Sequence, residues 1–169
     1  MNHKQSEDIM TIKVGDSMPD VTIFTQGANG PEAVKTGELF KGKKVALFAL
    51  PGAFTPTCSA KHLPGYIEKA AEFKGKGFDV IACLSVNDAF VMGAWGKQQE
   101  AGEKVMMLAD GSGEFTKAIG MEFDLTARGL GVRSQRYSMI VDNGTVKSLN
   151  LEKPGAFEVS DAGTLLGQA

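Results

Sequence analysis

Two cysteines in 169 residues are too few for the disulfide framework of a small secreted domain. A chain of this length buries about 70% of its unfolded surface, so it does not need such staples. Long hydrophobic runs are missing as well. The longest, Val45 to Phe54, is broken by Pro51 and Gly52, far short of the roughly 20 residues of a membrane span. Neither sign of charge is in excess: the net charge is -2 and the pI is near 5.7. That leaves no electrostatic case for nucleic acid or an anionic membrane as partner. Met1 to Met10 is polar, with Lys4, Glu7 and Asp8 and no apolar stretch, so no secretory signal is expected and the cytoplasm is the expected location. There is no repeat, low-complexity block or linker. Residues 1–10 read as a flexible N-terminal arm and residues 11–169 as one domain. The two cysteines and two histidines are too scattered to suggest a metal site.

What is present alternates. Val21 to Thr25 reads as a short strand, Gly27 to Pro31 as turn, and Thr36 to Phe40 as a helical turn ended by Gly42. Lys43 to Leu50 is continuously apolar through Val45, Leu47, Phe48 and Leu50, as in a strand covered on both faces. Pro51-Gly52 ends it. Pro56 suits the first turn of a helix, which is expected to run to about Lys74 with a kink at Pro64-Gly65 and a stop at Gly75 and Gly77. Phe78 to Ser85 is a second buried strand. Asn87 is the expected cap of a helix over Ala89 to Glu100, with Phe90, Val91, Ala94 and Trp95 on its apolar side. Lys104 to Ala109 reads as a strand and Gly113 to Ile119 as a short helix. Gln135 to Val141 and Thr145 to Leu151 flank the hairpin signal Asp142-Asn143-Gly144, and Ser160 is the expected cap of a last helix to Leu166. This order implies an α/β protein of the thioredoxin-like fold, a central mixed sheet flanked by helices.

Catalytic groups of open α/β sheets gather beyond the carboxyl ends of the strands. Pro51-Gly52-Ala53-Phe54-Thr55-Pro56-Thr57-Cys58 lies at such a strand end and opens a helix. Free amides and the positive end of the helix dipole stabilise a thiolate in that place. A cysteine in general packs as a small core hydrophobe; placement in a proline-flanked loop at a helix start points to reactivity instead. Dithiol chemistry of the thioredoxin type needs a second cysteine three residues on, and Cys58-Ser59-Ala60-Lys61 has none. Thr55, three residues before the thiol, shares its face of the first turn, so its hydroxyl can reach whatever Cys58 attacks.

A reactive thiolate also needs a fixed positive charge beside it. The chain has fifteen lysines and only three arginines, Arg128, Arg133 and Arg136. Arg136, at the start of the strand entering the hairpin, offers a permanent charge and a fork of donors; a solvated turn rich in arginine is the competing reading. Lowering the pKa of a free thiol from about 8.5 to about 6 raises its thiolate fraction at pH 7 roughly 30-fold, about 2 kcal/mol. Enzymatic rate enhancements need far more, so Thr55 and Arg136 are expected to act on geometry more than on ionisation. His62, one turn after Cys58, is a candidate general base, but a thiolate already formed needs none, and a structural or solvent-facing histidine is the stronger reading.

Pro51 to Cys58 resembles the peroxiredoxin active-site motif, Pro-x-x-x-Thr-x-x-Cys. Through Ser59, His62-Leu63-Pro64-Gly65 and Ala82-Cys83-Leu84-Ser85-Val86-Asn87-Asp88-Ala89-Phe90 the likeness extends to the type II, peroxiredoxin-5-like subfamily, over about Ile12 to Ala169. The resemblance implies a thiol peroxidase with peroxiredoxin-type extensions of the fold. It would reduce hydrogen peroxide and alkyl hydroperoxides through a sulfenic acid at Cys58, with no metal or organic cofactor. Pro51 would shield the thiol, Thr55 would hold the peroxide oxygen and Arg136 would be the activating cation. It also implies a homodimer through the active-site end, where Phe90 and Trp95 are candidates; packing of both against the sheet is the alternative. A peroxide sensor that relays oxidation to a partner protein would use the same site.

Cys83 is the only other thiol. Plant-type members carry a cysteine at this position that has been assigned as resolving. The animal-type resolving position, near the C-terminus, is Ser160 here, which excludes that disulfide. Cys83 lies in an apolar strand, and a direct bridge needs Cα atoms within about 7 Å. A buried structural role is preferred over a resolving one, which leaves glutathione with glutaredoxin, or thioredoxin, as the expected reductant.

Overall fold

The structure, a computed structural model, describes residues 10–169; the expected arm lies, apart from Met10, outside the described residues. In chain order the elements are β1 (Thr22–Gly27), β2 (Gly30–Lys35), α1 (Thr36–Phe40), β3 (Lys44–Ala49), a π-helical turn (Cys58–His62), α2 (Leu63–Glu68), α3 (Ala70–Gly75), β4 (Val80–Ser85), α4 (Ala89–Gln98), β5 (Met106–Ala109), α5 (Glu114–Ala118), β6 (Glu122–Leu125), β7 (Gly131–Ser134), β8 (Tyr137–Asp142), β9 (Thr145–Leu151) and α6 (Ala162–Gly167). Seven strands form one sheet in the order β2-β1-β5-β4-β3-β8-β9, and β6 and β7 form a separate hairpin. β3, β4 and β5 run parallel, while β8, β9, β1 and β2 join them antiparallel. Among the described residues no helix is long and apolar enough to cross a membrane.

β3 is central and fully covered. Ala46 and Phe48 enter one apolar cluster with Leu63, Tyr66 and Trp95, whereas Val45, Leu47 and Ala49 enter the other with Phe115, Met139 and Val141. The twofold alternation of a strand explains why an unbroken apolar run was required: both faces are core. The β8–β9 turn falls on Asn143 and Gly144, with φ of 49° and 81°, the positive values that a two-residue hairpin turn demands.

Several local expectations are corrected. The long helix after Pro56 is broken twice. Leu63 donates to the Cys58 carbonyl across the π-helical turn, directly before Pro64, which has no N–H to continue the regular ladder. The second break is at Lys69, with φ -99° and ψ 12°. The cap of α4 is Asp88, whose carboxylate accepts from the Val91 amide at 2.8 Å; Asn87 is used elsewhere, as described below. The buried side of α4 is Ala89, Met92, Trp95 and Gly96, and Phe90 is 65% exposed. Asp161 rather than Ser160 caps α6, accepting from the Thr164 amide at 3.1 Å. β2 and the β6–β7 hairpin were not expected. β2 is an edge strand, where Pro31 loses nothing by having no N–H to pair, so its sequence lacks the apolar alternation of a half-buried strand.

Candidate active site

The chain leaves β3 through Leu50, whose carbonyl accepts from the Ser85 hydroxyl at 3.3 Å. The next four residues are held from three sides. Arg133 Nη1 donates to the Pro51 carbonyl at 3.0 Å, Asn87 Oδ1 accepts from the Ala53 amide at 3.0 Å, and the Thr55 hydroxyl donates to the Gly52 carbonyl at 2.7 Å. A Cβ at Gly52 would lie 2.7 Å from Arg133 Nη1, so a side chain there would displace the guanidinium that donates to Pro51. Phe54 has φ 66°, a left-handed conformation that costs a non-glycine residue of order 1 kcal/mol and persists where surroundings enforce it. The first helical turn then closes, with the Ser59 amide donating to the Thr55 carbonyl at 2.9 Å. Ser59 Oγ accepts from the indole N–H of Trp95 at 3.0 Å. Trp95 is thus a buried anchor of this turn.

Cys58 is fully buried. Arg136, one residue before β8, points a guanidinium nitrogen, Nη2, at its sulfur over 3.3 Å. The other terminal nitrogen, Nη1, lies 2.9 Å from His62 Nδ1. Arginine only donates, so Nδ1 is the bare nitrogen of the ring and the proton sits on Nε2. Nε2 donates to the Ser160 carbonyl at 3.1 Å, and Tyr66 donates to the same oxygen at 2.9 Å. Burial first, and the Arg136 charge second, push the conjugate acid of His62 down to about 3. His62 is therefore neutral, with its one lone pair already engaged, and does not serve as a general base. The π-helical turn is what swings it inward, among Phe48, Tyr66 and Phe157.

The remaining expected site residues separate into two groups. Pro51, Thr55 and Arg136 line one cleft of about 540 Å³, together with Phe123, Leu125 and Leu130 of the β6–β7 hairpin and its turn. Cys83 lies in mid-β4 with Phe48 and Met107 opposite it on the neighbouring strands, in the same apolar cluster as Cys58. Both thiols are free. Burial, with the nearby Cys58 second, pushes the Cys83 thiol well above its ordinary value.

Glu152 escaped sequence reasoning. It follows β9 and is 5% exposed. Its carboxylate accepts from the amides of Glu158, Val159 and Ser160 and from the Ser160 hydroxyl, each at 2.8 Å to Oε2. Burial opposes its ionisation, but these donors outweigh it and hold the carboxyl below its ordinary value. Glu152-Lys153-Pro154-Gly155 has the local signature of a solvated turn, so no signal in the sequence singled it out.

A parallel β3-β4-β5 core with antiparallel neighbours, and a thiol at the strand-to-helix turn, define a thioredoxin-like fold. The redoxin family pattern matches residues 13–166. Peroxiredoxin-2E of Arabidopsis thaliana, a chloroplastic protein, is 53% identical over 160 residues, covering 92% of this chain and 68% of that one. Peroxiredoxin-2B of the same plant is 51% identical over 156 residues, covering 92% and 96%. The reduced Prx3 of Vibrio vulnificus in complex with H2O2 superposes with a TM-score of 0.90 at 54% identity, covering 94% and 99%. The chain belongs to the redoxin family and, within it, is a peroxiredoxin of the type II, peroxiredoxin-5-like group, a thiol-dependent peroxidase.

Proposed function

We propose that Cys58 is the peroxidatic cysteine, and the observation that carries the proposal is the 3.3 Å approach of Arg136 Nη2 to its sulfur in a buried setting. In the first step the Cys58 thiolate attacks one oxygen of a hydroperoxide. The S–O bond forms as the O–O bond breaks, and the departing alkoxide or hydroxide leaves as alcohol or water once protonated. Cys58 is oxidised by two electrons to sulfenic acid. Thr55 Oγ donates to the Gly52 carbonyl, which leaves its lone pairs to accept the hydroperoxide O–H. Arg136 carries enough donors to serve the sulfur, His62 and a peroxide oxygen at once. Pro51 lines the cleft and in this reading shields the thiol from water. Hydrogen peroxide fits this arrangement, and the apolar wall of Phe123, Leu125 and Leu130 suits alkyl hydroperoxides.

The cycle is completed by an external thiol, glutathione with glutaredoxin or thioredoxin. It attacks the sulfenic sulfur with loss of water, and a second thiol releases Cys58 from the mixed disulfide. A thiol reductant of some kind is what a thiol-dependent peroxidase requires. The choice of an external one follows from Cys83, whose burial keeps it protonated in the middle of a paired strand. Cys83 is a structural cysteine in this reading. Two free cysteines are compatible with a reducing compartment such as the cytoplasm. Phe90 and Phe54, 65% and 50% exposed, supply the apolar surface for a homodimer; Trp95, being buried, does not take part.

Stopped-flow mixing with equimolar hydrogen peroxide tests the central claim. Trp95, the single tryptophan, is bonded to the residue after Cys58 and serves as the reporter. A fast fluorescence change is expected in the wild type and none in Cys58→Ser. Consumption of peroxide no faster than by free cysteine would overturn the assignment.

A further inference from the structure

We propose that Glu152 is a positioning residue for the peroxidatic reaction, holding Arg136 over Cys58 through Ser160 and His62. The inference rests on the peroxidase reading of Cys58 given above.

The contacts form a closed ring. The Glu152 carboxylate gathers the Ser160 amide and hydroxyl, both at 2.8 Å. The Ser160 carbonyl, fixed in direction by that grip, accepts from His62 Nε2 at 3.1 Å and from Tyr66 at 2.9 Å. His62 Nδ1 then accepts from Arg136 Nη1 at 2.9 Å, and Nη2 is left for Cys58. The ring closes through the backbone, because the Glu152 amide donates to the Arg136 carbonyl at 3.0 Å. Glu152 therefore controls both ends of the arginine, its main chain directly and its guanidinium through two relays.

Each link is directional and dry: His62 and Ser160 are fully buried, and Glu152 nearly so. A ring nitrogen that must accept from arginine needs its proton on the other nitrogen, and the Ser160 carbonyl enforces that tautomer. Without it, the alternative tautomer would present an N–H to the guanidinium and push Arg136 off the sulfur. The same carboxylate ties down the amides that follow Phe157, whose ring lies 5.8 Å from the Arg136 guanidinium carbon and 5.0 Å from His62. The segment Lys153 to Ala156, which lines the cleft, is thereby locked to the arginine. A rate that depends on sub-ångström alignment of a cation gives such support a kinetic effect.

The test is a double-mutant cycle on the second-order rate constant for oxidation of Cys58 by hydrogen peroxide. Glu152→Gln, which keeps the shape and removes the charge, is expected to slow oxidation about 10-fold in the wild-type background. In an Arg136→Met background the same change is expected to have less than about a twofold effect, since no guanidinium remains to be positioned. An equal loss in both backgrounds, or no loss in the first, overturns the proposal. His62→Leu and His62→Gln extend the test should Glu152→Gln fold poorly. Leucine breaks the relay, whereas a glutamine amide can accept from Arg136 and donate to Ser160, so partial recovery by His62→Gln over His62→Leu is expected. Equal rates in the two overturn the relay. The peroxidase reading fails separately, by slow oxidation of the wild type itself.

Discussion

Arg136 and His62 meet through a nitrogen that gives and a nitrogen that takes, Nη1 to Nδ1 at 2.9 Å. The contact is neutral on the histidine side, so the full charge of the guanidinium remains directed at Cys58, 3.3 Å from Nη2. A carboxylate in the place of His62 would hold the arginine as firmly but would spend its charge on an ion pair. The histidine orients without neutralising.

Replacing Arg136 by lysine keeps the charge and loses the fork. A single ammonium cannot serve the sulfur, His62 and a peroxide oxygen in fixed directions. Arg136→Lys is expected to lower the rate of Cys58 oxidation by about 100-fold or more, in line with losing a transition-state donor. Stopped-flow fluorescence measures it, and a loss of only a few-fold would mean that charge alone suffices.

His62 makes stability depend on pH with a definite sign. Its folded value, about 3, lies below the ordinary 6.5, so the unfolded chain binds the proton more readily. The contribution is fully present above pH 6.5 and is lost progressively as pH falls toward 3, with a slope approaching about 1.4 kcal/mol per pH unit. Urea unfolding between pH 4 and 8 is expected to show this slope in the wild type and a shallower one in His62→Gln. Parallel curves would show that His62 titrates normally.

Cys83→Ser is expected to leave turnover with external thiols within about twofold of wild type. A hydroxyl placed without a partner in the β4 core costs stability of order 1–2 kcal/mol, visible as a lowered denaturation midpoint. Loss of turnover with every reductant, with the first oxidation of Cys58 intact, would make Cys83 the resolving thiol instead.

Asp88→Ala removes the cap of α4, its bond to the Val91 amide. Stability is expected to fall by about 1 kcal/mol and the oxidation rate to stay unchanged, because the neighbouring Asn87, not Asp88, holds the Ala53 amide. A comparable loss of rate would show that α4 itself tunes the thiol.

Short-range patterns in the chain translate directly into structure. The unbroken apolar run of β3 has one physical meaning, burial on both faces, and Pro51-Gly52 has one effect, to end it. Asn143-Gly144 asks for positive φ and makes a hairpin. Helix caps were harder, because adjacent polar residues compete for one position: Asp88 took α4 while Asn87 turned back to the Pro51–Phe54 loop, and Asp161 took α6 while Ser160 turned to Glu152. In each pair the neighbouring segment decided.

The sequence by itself determined the local setting of Cys58. A thiol at the first turn of a helix, behind a buried strand and a proline-glycine stop, is a local pattern whose chemistry follows from local forces, and Thr55 belongs to the same turn. Only the tertiary structure decided how Arg136 is aimed. The partners in that arrangement stand 74 residues apart for Arg136 and His62 and 98 for His62 and Ser160. A histidine, a serine and a glutamate look alike on a solvated loop and in a dry relay. Which they become depends on the packing of β9 and its following loop over the π-helical turn, where burial makes each hydrogen bond obligatory and so gives it a direction.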